Sequence, residues 1–183
     1  MACDPTGILR DEHRLILEVV TVLEILVDRG REGTSVPELG ACVHFFRLYT
    51  DALHHGKEED LLFSAMVDHG FPRHQGPIAM MVQEHQLGRS LVRQMADTLD
   101  RAETDAAAWR AFEHAARSYV QLLRQHIHKE DHAVFDMADT ALAEPACRAL
   151  CNAYDEVCAR RFEGETVATL ERLANDLVQS IRA

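Results

Sequence analysis

A chain of 183 residues, 47% hydrophobic and 27% charged, is long enough to bury one well-formed core and has the make-up of an ordinary globular protein. A net charge of −11 with no basic stripe argues against nucleic acid, whose binding rests on phosphate contacts. No apolar run approaches the roughly 20 residues of a membrane span, and the start, MACDPTGILRDEHR, lacks a basic-then-apolar signal pattern, so a cytoplasmic location is expected.

The chain reads as helix throughout, because β-branched alternation is absent and the breakers fall between periodic segments. The first helix is predicted over about 6–28, with Leu9, Ile16, Leu17, Val20, Leu23 and Val27 on one face. After RGREGTS, Ser35-Val-Pro-Glu opens a second helix that runs to about Asp68, with Pro37 in its first turn and Glu38 placed to complete a capping box. HGFPRHQGP (69–77) breaks the chain again. A third helix covers about 78–101 and a fourth about 105–138. Two shorter segments, about 145–162 and 166–181, are separated by Glu163-Gly164. Long helices with short connections predict an all-α fold, an up-down-up-down four-helix bundle with two additional C-terminal helices. The whole chain, 1–183, reads as one domain, with a bundle core at about 8–138 and a helical extension at about 145–181.

Five cysteines, Cys3, Cys42, Cys147, Cys151 and Cys158, are an odd count in a long chain and argue against a disulfide framework. Cys147, Cys151 and Cys158 share a helical stripe with Tyr154 and are expected to pack as small apolar residues rather than form a redox or metal patch.

Eleven histidines are a further departure from an ordinary composition. His13 lies inside the apolar stripe of the first helix, His85 inside that of the third and His126 inside that of the fourth, with Glu130 one turn beyond His126. In the second helix the stripe Phe45, Leu48, Ala52, His55, Leu62, Ala65 is less clean, and His54 and His55 compete for the inward place beside Glu58. One buried histidine is usually a satisfied core residue. Four helices each burying one, together with two carboxylates, is costly unless a cation offsets the charge. Imidazole and carboxylate without thiolate suit iron, manganese or zinc, and six or seven ligands exceed one tetrahedral zinc but serve two octahedral ions bridged by the carboxylates. His44, His69, His74, His114, His128 and His132 read as surface residues. Tyr119, two turns before His126, either hydrogen-bonds a ligand of the metals or is a core residue with a satisfied hydroxyl.

Ferritin-like di-iron bundles use Glu-x-x-His. Here the order is reversed, and His-x-x-x-Glu occurs twice, as HHGKE (54–58) and HIHKE (126–130), each followed by an acid and an apolar run, EEDLLF and EDHAVF. With GPIAMMVQEHQLGR, these stretches resemble the hemerythrin-like, or HHE cation-binding, family over about residues 8–138. The resemblance implies a non-haem di-iron centre of the carboxylate-bridged Fe–O–Fe type, zinc and manganese being weaker fits. His13, His54, His85 and His126 would be terminal ligands, with Glu58 and Glu130 as bridges. The oxygen-carrying members have a second histidine four residues from the third-helix ligand, where this chain has Met81 and Arg89. They also have an aspartate bridge five residues after the fourth-helix histidine, where this chain has Asp131 but offers Glu130 one residue earlier. His55 either supplies the missing imidazole or stands behind the ligands. These departures argue against simple reversible oxygen carriage.

The expected function is binding or turnover of a small oxidant: dioxygen, hydrogen peroxide or nitric oxide. If the chain is an enzyme it is a di-iron oxidoreductase, since no Ser, Cys or Lys nucleophile is recognisable. The alternative is an iron- or oxygen-sensing or iron-handling protein whose metal occupancy controls fold or partner binding. A bundle with a purely structural metal is the third option.

Overall fold

A computed structural model describes residues 3–182 of the chain. Helix α1 spans Pro5–Asp28. Asp4 precedes it and accepts a hydrogen bond from the Gly7 amide at 2.8 Å, and Pro5 fills the first turn, where its missing N–H costs nothing. Helix α2, residues 36–68, starts after Ser35 as predicted, but Ser35 makes no side-chain cap bond, so the expected capping box is absent. Helix α3 is Gly76–Ala102. Helix α4, residues 106–141, starts behind Asp105, whose carboxylate accepts from the Ala107 amide at 2.7 Å. Helices α5 (Glu144–Cys158) and α6 (Val167–Ser180) follow. Between them Glu163 and Gly164 take positive φ, 51° and 94°, and this breaks the helix where the sequence predicts. No β-strand forms among the described residues, and the all-helical expectation holds.

Two of the long helices are not α-helical along their whole length. Within α2, Phe46–His55 and Glu58–Leu62 are π-helical, and within α4 so is Glu130–Val134. Here the amide bonds reach back five residues: Gly56 to Asp51, Phe63 to Glu58, Phe135 to Glu130. The wider turn keeps neighbouring residues on one face for longer. His54 and His55 are therefore both buried, and Ala52, placed on the inner stripe by a 3.6-residue period, is exposed instead.

Apolar side chains gather in two clusters. One holds Ile16, Leu23, Phe45, Leu53, Leu91, Phe112 and Leu123, and the other Leu9, Leu62, Phe63, Met81, Val134 and Phe135. Along each long helix the buried histidines and glutamates fall where one cluster gives way to the other. Helices α1 and α3 run from the second cluster to the first, and α2 and α4 run the other way. Helix α5 adds Leu150 and Tyr154 to the second cluster, and α6 adds Leu170, Ala174 and Leu177 to the first.

The expectation for the cysteines needs correction. Cys3 and Cys151 are joined by a disulfide, with Cα atoms 6.4 Å apart, because the start of α1 lies against α5. A sequence separation of 148 residues hides that proximity. Cys147 and Cys158 do pack against the apolar clusters as small side chains.

Candidate metal centre

His13, His54, His55, Glu58, His85, His126 and Glu130 are all buried, and the four long helices bring them together. Two groups form. In one, ligand atoms of His55, Glu58, His85 and His126 lie within 4.8 Å of one another; in the other, those of His13, His54, Glu58 and Glu130 do. Glu58 stands between His54 (Nε2 to Oε1, 3.4 Å) and His85 (Nε2 to Oε2, 3.3 Å). Glu130 stands between His13 and His126, its Oε2 at 3.3 and 3.1 Å from their Nε2 atoms. The His85 and His126 Nε2 atoms are 3.0 Å apart. His55 stacks on His85, with ring centroids separated by 3.8 Å.

Each of the four predicted terminal imidazoles is held from behind by a carboxylate on another helix. His13 Nδ1 meets Asp131 at 2.7 Å, His85 Nδ1 meets Glu59 at 2.7 Å, His54 Nδ1 meets Glu12 at 2.9 Å and His126 Nδ1 meets Glu84 at 2.9 Å. A carboxylate can only accept, so Nδ1 carries a proton and Nε2 is the nitrogen directed inward. Lys57 and Lys129 in turn pair with Glu12 and Glu84. Asp131, which could have been a bridge on spacing alone, is thus a support for His13.

The arrangement repeats itself. His54 and His126, Glu58 and Glu130, His13 and His85 are each 72 positions apart (126 − 54, 130 − 58, 85 − 13), and so are Glu12 and Glu84, Lys57 and Lys129, Glu59 and Asp131. The same offset relates Phe63, whose ring stacks on His85, to Phe135, whose ring stacks on His13. His55 has no such counterpart, since position 127 is isoleucine.

The charges are arranged for a cation. Burial pushes an imidazole toward neutrality, yet His13 is raised to about 10 because the carboxylates of Asp131, Glu130 and Glu58 outweigh it. The same contest raises His126 and takes His85 well above its ordinary value. For His55, burial and the neighbouring His85, His54 and His126 act together, and it stays neutral. Glu130 is held well below the carboxylate range, its burial outweighed by the surrounding imidazoles. The fit to a metal rests on unsatisfied atoms. His13 Nε2, His54 Nε2 and all four carboxylate oxygens of Glu58 and Glu130 are buried with no hydrogen-bond partner among the described residues. Buried polar atoms are rarely left so. Six of them around one point form a ready-made set of nitrogen and oxygen ligands.

The remaining predicted residues fall as follows. Tyr119 is buried against Phe46 (ring centroids 4.8 Å apart) and lines a cavity beside His55, but it is in neither ligand group. His69, His74, His114, His128 and His132 are exposed and His44 half-buried, as expected of surface residues. Of the supporting acids, Glu59 stands out in the sequence as the acid after HHGKE, without a role, while Glu12 and Glu84 were not picked out; their one signal is that each adjoins a predicted ligand. Their expected effect is specific: Glu12→Gln or Glu84→Gln should weaken metal binding about 10–100-fold and leave the fold intact. Competition against a chromophoric chelator reads this directly, and unchanged affinity in both variants would deny the acids that role.

Helices with convergent imidazoles and carboxylates, each imidazole backed by a second acid, define a class of helical cation-binding domains. The chain belongs to the hemerythrin family: the model of the hemerythrin HHE cation binding domain matches residues 4–138. It is also similar to the iron-sulfur cluster repair protein YtfE of Musicola paradisiaca (strain Ech703), with 26% identity over 132 residues, or 70% of this chain and 60% of that protein. The match therefore spans less than two thirds of that relative's length. No solved structure matches the chain.

Proposed function

We propose that the chain is a non-haem di-iron protein that binds or turns over a small oxidant: dioxygen, hydrogen peroxide or nitric oxide. The observation that carries this reading is the pair of buried ligand groups that share Glu58, one of them holding the unsatisfied Nε2 atoms of His13 and His54 with the oxygens of Glu58 and Glu130. His13 and His54 would hold one ion and His85, His126 and His55 the other, with Glu58 and Glu130 bridging. When bound, two irons supply Lewis acidity and one-electron redox chemistry. The chain's own residues hold the imidazoles in one tautomer through Glu12, Glu59, Glu84 and Asp131, and the two apolar clusters cover the centre at either end. The opposite senses in which α1 and α3, and α2 and α4, pass between those clusters support an up-down-up-down bundle. The packing of α5 and α6 against the same clusters supports one domain over the whole chain.

No helix among the described residues is long and apolar enough to cross a membrane. A cytoplasmic location stays part of this reading, and the Cys3–Cys151 bridge weighs against it. If the protein is an enzyme it is an oxidoreductase. A second reading, iron handling, is favoured by one observation, the similarity to a protein named for iron-sulfur cluster repair.

The test compares iron-loaded with zinc-loaded protein, both mixed with hydrogen peroxide. Peroxide loss with a change in the visible spectrum is expected for iron alone. Equal inertness of the two forms, also toward dioxygen and nitric oxide, would contradict oxidant chemistry and leave iron handling.

A further inference from the structure

The two halves of the centre match at most positions, and the places where they do not match coincide with a cavity. Asp51, His55, Gly88 and Arg89 all line a cavity of about 330 Å³ beside the centre. At the positions 72 residues away stand Leu123, Ile127, Ile16 and Leu17. Leu123, Ile127 and Ile16 are buried within the first apolar cluster, and none of them lines a cavity among those found. On this side the glycine leaves the space open, and the other three replace apolar side chains with polar ones.

Those three polar residues are linked. The Arg89 Nε donates to Asp51 at 2.7 Å, and its Nη2 donates to Glu59 at 2.8 Å. Asp51 lies 3.4 Å from His55 Nδ1, and Glu59 lies 2.7 Å from His85 Nδ1. One guanidinium thus bridges the acids behind two stacked imidazoles of the same ligand group.

The rest of the lining describes an occupant. Phe46, Val92 and Tyr119 give a buried apolar floor. Arg47 and Arg93 stand exposed at the mouth, Arg47 paired with Glu163 and Arg93 with no acid among the described residues. Arg47 and Arg89 already answer Glu163, Asp51 and Glu59, so Arg93 at the rim is the cation left to attract an anion into the opening. Arginine suits carboxylate through paired N–H donors. The volume is about ten times the ~30 Å³ share of a water molecule and falls in the range of small-molecule sites, far more than a diatomic oxidant fills.

We propose that this cavity binds a small organic carboxylate, its apolar body on Phe46, Val92 and Tyr119 and its charge at Arg93 and Arg89. Binding itself needs no metal; only its coupling to the centre, through Arg89 to the acids behind His55 and His85, rests on the di-iron reading.

Calorimetric titration of benzoate into the full chain, metal-loaded and metal-free, tests this. Saturable binding to one site is expected. Gly88→Ile installs the side chain that position 16 carries; a Cβ there meets Tyr119 and Leu122 at 3.6 and 3.9 Å, ordinary contacts. It should weaken benzoate binding roughly tenfold or more and leave metal content unchanged. Arg93→Glu, on the exposed rim, should do the same with no risk to folding. Inorganic phosphate, which lacks an apolar body, should bind more weakly than benzoate. Absent saturation, benzoate affinity unchanged in both variants, or phosphate binding as tightly as benzoate would overturn the proposal. Metal content of the same samples separates the two readings: benzoate binding without iron leaves this one standing, and iron without benzoate binding removes it alone.

Discussion

Glu130→Ala abolishes paired metal binding on this account. Glu130 is fully buried, and its oxygens face His13, His126 and His85. Without it the group of His13 and His54 keeps Glu58 as its one carboxylate, and His85 and His126 of the other group lose the oxygens that face them, so affinity should fall by more than the roughly 10–100-fold typical of groups that only support a ligand. The stability readout is large. A metal present at a thousand times its Kd stabilises the fold by about 4 kcal/mol, which for a chain of 183 residues is a shift of roughly 8–16 °C in Tm. That increment should vanish in Glu130→Ala, and in Glu130→Gln, which keeps the volume but not the charge. Differential scanning calorimetry with and without added iron measures it. A full metal-induced shift in Glu130→Gln would show that Glu130 is not needed as an anionic bridge.

The second large effect is a pH dependence that the metal-free form shows and the metal-loaded form does not. In the metal-free protein His13 is raised from 6.5 to about 10, so the folded chain keeps a proton that the unfolded chain releases near 6.5. The stability this confers is fully present below about 6.5 and is lost as pH rises through about 10. His85 and His126 shift in the same direction and add to the loss. His55 is already neutral, and Glu130 stays charged throughout this window. A metal takes the place of those protons, so its affinity rises as they leave. Between pH 6.5 and 10 the metal-free Tm should therefore fall, while the gap between loaded and metal-free protein widens. Parallel curves for the two forms would contradict the assignment of His13, His85 and His126 to the metals.

Much of this was legible in the sequence because the long helices keep a 3.6-residue apolar period and are punctuated by Gly, Pro and Asp. The breaks at 69–77 and at Glu163-Gly164 fall where the chain turns. The histidines stand out because they interrupt otherwise apolar stripes, and the structure gathers all five with Glu58 and Glu130. The second helix was the ambiguous one for a physical reason. Its π-helical turns change the period, so a 3.6-residue wheel sets His54 against His55 although both point inward. The part played by the acids behind the imidazoles was not legible. Glu12, Glu59 and Glu84 are charged residues on helices, and only the packing of one helix on the next shows which of them meets a ring. The Cys3–Cys151 bridge and the arginines of the cavity were hidden likewise, since each brings together distant segments.

The central claim is a pair of irons, and the most direct measurement is metal analysis with an optical spectrum of aerobically purified, iron-reconstituted protein. The account predicts about two irons per chain and the near-ultraviolet charge-transfer bands of a bridged ferric pair, changing when hydrogen peroxide is added. Zinc in place of iron, or neither metal nor bands after careful reconstitution, would contradict it.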